Sequence, residues 1–126
     1  MRQIYEWQVD PDDVRVLRDL YRRQREISQD PVMAERRDAW TRHASLDSPR
    51  AMFLAETSGV LDECVAISLL QCHEPWARAM ERGLRGLSFR YESVGDDYVV
   101  EPRIHYGWSI TAGDYGVKVE HHRGDN

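Results

Sequence analysis

Apolar positions along the chain fall into helical spacing three times and into short unbroken runs between. The first periodic stretch follows Asp10-Pro11-Asp12-Asp13. An aspartate there caps free amides, proline suits a first turn, and acids favour the positive end of a helix dipole. Val14, Leu17, Tyr21 and Gln24 then share a face, with Leu20 and Ile27 beside it, while Arg15, Arg18, Arg22, Arg23 and Arg25 lie mostly elsewhere. The spacing predicts an amphipathic helix of about five turns. Asp30-Pro31 repeats the start signal, so a second helix follows with almost no loop. Met33, Trp40 and Ala44 share its face, interrupted by Arg36, Arg37, Asp38 and Arg42. Ser48-Pro49 closes it, because a residue before proline is pushed out of helical geometry. The third helix opens at Glu74-Pro75 and carries Trp76, Met80, Gly83/Leu84, Leu87, Tyr91 and Val94 at helical spacing. Gly95 suits a left-handed cap at its end.

The short runs read as strands. Ala51 to Ala55 is nearly continuous apolar sequence, the pattern of a strand buried on both faces, as in parallel sheets. It ends in Glu56-Thr57-Ser58-Gly59, a polar turn at the place where an α/β protein sets its chemistry. Leu61 to Cys72 reads as a helix or a pair of short turns. Tyr98-Val99-Val100-Glu101 reads as a second strand stopped by Pro102, and Val117 to Glu120 as a last one. Residues 1–9 suggest a strand or extended arm. Residues 103–115, rich in glycine and aromatics, suggest an ordered loop, and His121 to Asn126 a frayed end. The expectation is a single α/β domain over 1–126, with a leading helical segment at 1–48 and a strand–helix–strand segment at 49–126. A doubly buried strand needs strand neighbours and two covering layers. Too few are available here, so the fold is expected to be incomplete as a single chain or completed by association.

Composition narrows the function classes. The chain has 126 residues, 41% hydrophobic and 31% charged, which fits one globular core. A net charge of -5 argues against a nucleic-acid or anionic-membrane surface. Lys118 is the only lysine, so the cations are almost all arginines, and 22 acidic side chains are there to pair with them. No apolar run spans a bilayer and no signal peptide is recognised, and two cysteines make no disulfide framework. The expected setting is cytoplasmic.

Candidate chemistry centres on Glu56 and Glu101, each of which closes an expected strand. On neighbouring parallel strands both would face one mouth, where paired carboxylates split their pKa values and share acid/base work. His105, just past the second strand, is a third candidate. Cys64, Cys72 and His73 lack the spacing of a metal set, and no phosphate-binding loop is present. No metal ligand is expected.

Several stretches together carry a family likeness: the Arg-rich first helix ending in Asp30-Pro31, then Glu35-Arg36-Arg37-Asp38-Ala39-Trp40, Pro49-Arg50 before the strand, and Gly95-Asp96-Asp97-Tyr98-Val99-Val100-Glu101-Pro102. They resemble the N-terminal region of uroporphyrinogen decarboxylase-like proteins, the superfamily that includes corrinoid-linked methyltransferases. The resemblance implies leading helices plus the first strands of a (β/α)8-type barrel, which takes about 250 residues when whole. It also implies a scaffold role in a methyltransferase, not catalytic alone, with a second protein chain or a second copy as partner. Corrinoid and zinc are the cofactors it implies, with ligands outside this chain. Decarboxylases of the superfamily carry an arginine-containing run after the first strand. Glu56 stands there instead, which argues against porphyrinogen decarboxylation. The rival readings are a self-associating α/β binding module and a small independent enzyme built on Glu56 and Glu101.

Overall fold

The computed structural model describes residues 9–57 and 59–105, and four α-helices organise them. α1 runs Pro11–Ser28 and α2 runs Pro31–Ala44. Each starts as its sequence dictates. The Asp10 carboxylate accepts from the Asp12 amide at 2.7 Å, and Asp30 accepts from the Val32 amide at 2.8 Å. The Leu61–Cys72 stretch resolves into short turns: α3, Leu61–Cys64, and a 3-10 turn at Ile67–Leu69. α4 runs Pro75–Phe89 and widens into a π turn over Arg90–Val94. Gly95 ends it at φ 67°, the left-handed conformation that glycine adopts without a Cβ penalty.

α1 and α4 form the body of the molecule. Leu17 of α1 packs with Cys72, Ala77 and Leu84, and Val16, Leu20, Tyr21, Trp76 and Met80 close around them. Asp13, near the start of α1, meets the backbone of His73 and Glu74 at the start of α4, and Arg23 pairs with Glu92 beyond its end. The two helices therefore run in the same direction. Gly86 of α4 admits α3 closely, since a Cβ there would meet Leu61 Cδ1 at 3.1 Å. A second, smaller core joins Ile27, Met33 and Val100, with Val32, Tyr91 and Tyr98 against it. It holds α2 to the chain that follows Gly95.

The expected α/β architecture is overturned, and with it the barrel strands: there is no strand among the described residues. The reason lies in the partners the backbone finds. Residues 52–55 form no regular element: the Phe53 amide donates to a carboxylate oxygen of Asp97 at 3.0 Å and the Ala55 amide to Asp96 at 2.9 Å. One backbone bond, from the Asp97 amide to the Phe53 carbonyl at 3.1 Å, is all that resembles a ladder. The run is not doubly buried either, with Phe53 56% and Leu54 53% exposed. Tyr98–Val100 is likewise held by α2 side chains. Arg36 donates to the Tyr98 carbonyl at 2.8 Å, and the buried Val100 amide donates to the Met33 sulfur at 3.3 Å. Most of the arm expected at 1–9 and of the loop expected at 103–115, with the strand expected at 117–120 and the frayed end expected at 121–126, lie outside the described residues, as does Ser58. No helix among the described residues is long and apolar enough to cross a membrane.

Candidate functional site

The apolar stripe of α4 is broader than α1 covers. Trp76, Met80, Gly83 and Leu87 extend past the packed line, and Tyr21 and Gln24 of α1 face them across a gap. Residues 98–105 close the third side with Tyr98, Glu101, Arg103, Ile104 and His105. The result is an open cleft of about 770 Å³, within the range of a ligand or peptide-docking pocket. Gly83 deepens it: a Cβ there would meet nothing within 4 Å. Gln24 sets the third wall. Its buried amide donates to the carbonyls of Glu101 at 2.6 Å and Arg103 at 3.1 Å, laying that segment along α1.

Two of the three expected site residues meet here. Glu101 and His105 both line the cleft, whereas Glu56 does not. The Glu101 carboxylate lies 3.3 Å from Arg37 of α2. The strand-end argument for a Glu56–Glu101 pair has no basis once neither stretch is a strand. Among the described residues the cleft walls are mainly aromatic and aliphatic, which suits binding better than proton transfer.

Four buried carboxylates form the other concentration of polar chemistry, and the sequence reading missed their role. Asp13 and Glu81 are 0% exposed, Asp96 2% and Asp97 5%. Glu81 accepts from the amides of Gln71 (2.9 Å) and Cys72 (2.8 Å) and pairs with Arg85 at 2.8 Å. Asp13 accepts from the His73 and Glu74 amides at 2.7 and 2.9 Å. Asp97 takes a two-pronged contact from Arg50, at 2.8 and 2.5 Å, besides the Phe53 amide. Asp96 pairs with Arg90, which also reaches the Ala55 carbonyl at 2.9 Å and lies 4.2 Å over the Tyr98 ring.

These settings explain the titration of the groups. Arg50 and the Phe53 amide hold Asp97 down at about 2 against burial that pushes it up. Burial also pushes Asp96 and Glu81 upward. Arg90 with the Ala55 and Tyr98 amides outweighs it at Asp96, and the Cys72 and Gln71 amides with Arg85 outweigh it at Glu81, so both sit below the usual carboxylate range. The Cys72 thiol is pushed up to about 12 by burial and by Glu81, which makes it inert as a nucleophile or thiolate ligand. One signal for this arrangement was in the sequence: Glu81 lies between Ala77 and Leu84 on the buried face of α4, where an acid needs fixed donors.

Comparison with family models, curated proteins and solved structures returned no match.

Proposed function

We propose that this chain is a non-catalytic helical scaffold of a uroporphyrinogen decarboxylase-like methyltransferase, docking through the α1–α4 cleft onto the catalytic part. The methyltransferase setting rests on the sequence resemblance. The docking role rests on one observation: an open, mainly apolar cleft of about 770 Å³ between α1, α4 and residues 98–105. A partner helix or loop of complementary apolar shape fits such a groove.

The test mixes this chain with a zinc-containing, corrinoid-dependent methyltransferase chain. The expected result is a stable complex that forms with the natural chain and fails with Gly83→Leu. That substitution sends a side chain from a cleft-lining position at which an added Cβ meets nothing within 4 Å. No complex, or one indifferent to Gly83→Leu, would refute the docking role. Methyl transfer by the chain alone would refute the non-catalytic one. A second reading, a self-associating module, draws on the exposure of Phe53 and Leu54, at 56% and 53%. Sedimentation of the chain alone decides it: a concentration-dependent dimer abolished by Phe53→Ser supports it, and a monomer at every concentration removes it.

A further inference from the structure

His73 sits beside a cysteine in sequence, but its ring belongs with two carboxylates. Its Nδ1 lies 3.2 Å from Asp10 Oδ2 and 3.5 Å from Asp13 Oδ1. One donor atom from each of the three residues falls within 4.8 Å of the others. Two ligands of a tetrahedral zinc-type ion, each about 2.1 Å from the metal, stand about 3.4 Å apart. The two measured spacings fall on either side of that value. No arginine or lysine is paired with Asp10 or Asp13, whose ionic contact among the described residues is His73 itself.

The carboxylates are also oriented in advance. The second oxygen of Asp10 is engaged by the Asp12 amide at 2.7 Å. Asp13, fully buried, is fixed by the amides of His73 and Glu74 at 2.7 and 2.9 Å. Each accepting oxygen keeps a further lone pair for a metal. Hydrogen bonds of this kind hold carboxylate ligands in place in metal sites. The His73 side chain is 65% exposed and that of Asp10 34%, so an ion has access from solvent and keeps an outward position for water. Two oxygens and one imidazole nitrogen, with no thiolate, suit a borderline divalent ion such as zinc or cobalt.

We propose that Asp10, Asp13 and His73 form a divalent transition-metal site that clasps the start of α1 to the start of α4. Bound metal ties together two segments 60 residues apart, as the His73–Asp13 contact does. It therefore stabilises the α1–α4 pair that forms the cleft, whatever docks there.

The test titrates the metal-free full chain with Zn²⁺ by calorimetry and with Co²⁺ by visible absorption. One equivalent of Zn²⁺ is expected, with Co²⁺ bands of tetrahedral intensity and a rise in Tm on metal addition. His73→Ala leaves the backbone contacts of residue 73 in place, and Asp10→Asn keeps a capping side chain. Each is expected to weaken binding at least about tenfold and to remove the metal-induced rise in Tm while leaving the metal-free Tm nearly unchanged. A His121→Ala/His122→Ala double variant serves as control and is expected to bind as the natural chain does. Absence of stoichiometric binding, binding that survives both His73→Ala and Asp10→Asn, or binding lost in the control would overturn the assignment.

Discussion

In α1 and α4 the backbone satisfies its own hydrogen bonds, and apolar side chains hold the pair together. In residues 51–57, 70–74 and 95–100 only a few backbone groups pair with backbone, as the Asp97 amide does with the Phe53 carbonyl, and side chains from elsewhere take many of the others. Asp96 and Asp97 receive the amides of Ala55 and Phe53, Glu81 those of Gln71 and Cys72, and Asp13 those of His73 and Glu74. The contrast shows how long irregular segments are held with no sheet among the described residues. A buried amide needs an acceptor, and an ionised carboxylate with a neighbouring guanidinium or amide to steady its charge supplies a strong one. Where a sheet spreads that task along a ladder, here it is concentrated on four acids.

The contrast breaks most easily at Glu81. Glu81→Ala leaves the Gln71 and Cys72 amides and Arg85 without their buried partner, and the expected loss of stability in urea unfolding is about 3 kcal/mol. That equals the expected cost of Leu17→Ala in the apolar core, so the two kinds of region should prove equally indispensable. A loss below about 1 kcal/mol at Glu81 would mean that the amides find water instead.

Acid should loosen the carboxylate-held segments before the helix pair. The folded-state pKa of Asp97 is depressed to about 2 from an ordinary 3.8. The stability it contributes is thus fully present above pH 3.8 and is lost as pH falls through about 2. Its size is on the order of 1 kcal/mol, because Arg50 is half exposed and solvent screens the pair. Asp96 and Glu81 are shifted in the same direction and add to the trend. Urea midpoints measured between pH 5 and 2 should fall in the natural chain, and fall less in Asp97→Asn, which starts from a lower value.

The smallest effect separates the irregular segment at 51–57 from a buried strand most cleanly. Leu54→Ser at a position 53% exposed should change stability by less than about 0.5 kcal/mol. A doubly buried strand residue would lose about 2 kcal/mol or more.

Local signals carried the helices. Asp10-Pro11, Asp30-Pro31 and Glu74-Pro75 start α1, α2 and α4, and Gly95 stops the last at φ 67°. Each acts within a few residues, so the sequence alone exposes it. The segments at 51–55 and 98–101 were misread as strands because an apolar run does not state what its amides bind. Asp96 and Asp97 are over 40 residues from Ala55 and Phe53, and no spacing rule links them. Glu101 and His105, named from the sequence as catalytic candidates at strand ends facing a mouth, line the cleft for a different reason. Gln24 supplies it, by gripping the carbonyls of residues 101 and 103. The α4 stripe at Trp76, Met80 and Leu87 is legible from its helical spacing, and Trp76 and Met80 do pack against the core, but all three also line the cleft. Its excess width becomes visible only once α1 is in place and found too narrow to cover it.

Amide hydrogen exchange on the natural chain at neutral pH tests the carboxylate account most directly. The amides of Phe53, Ala55, Gln71, Cys72, His73 and Glu74 should be protected to a degree approaching the α1 interior, while the intervening Leu54 amide exchanges quickly. Uniformly fast exchange across residues 52–55 and 71–74 would contradict the account, since it would mean that the carboxylates do not hold those segments.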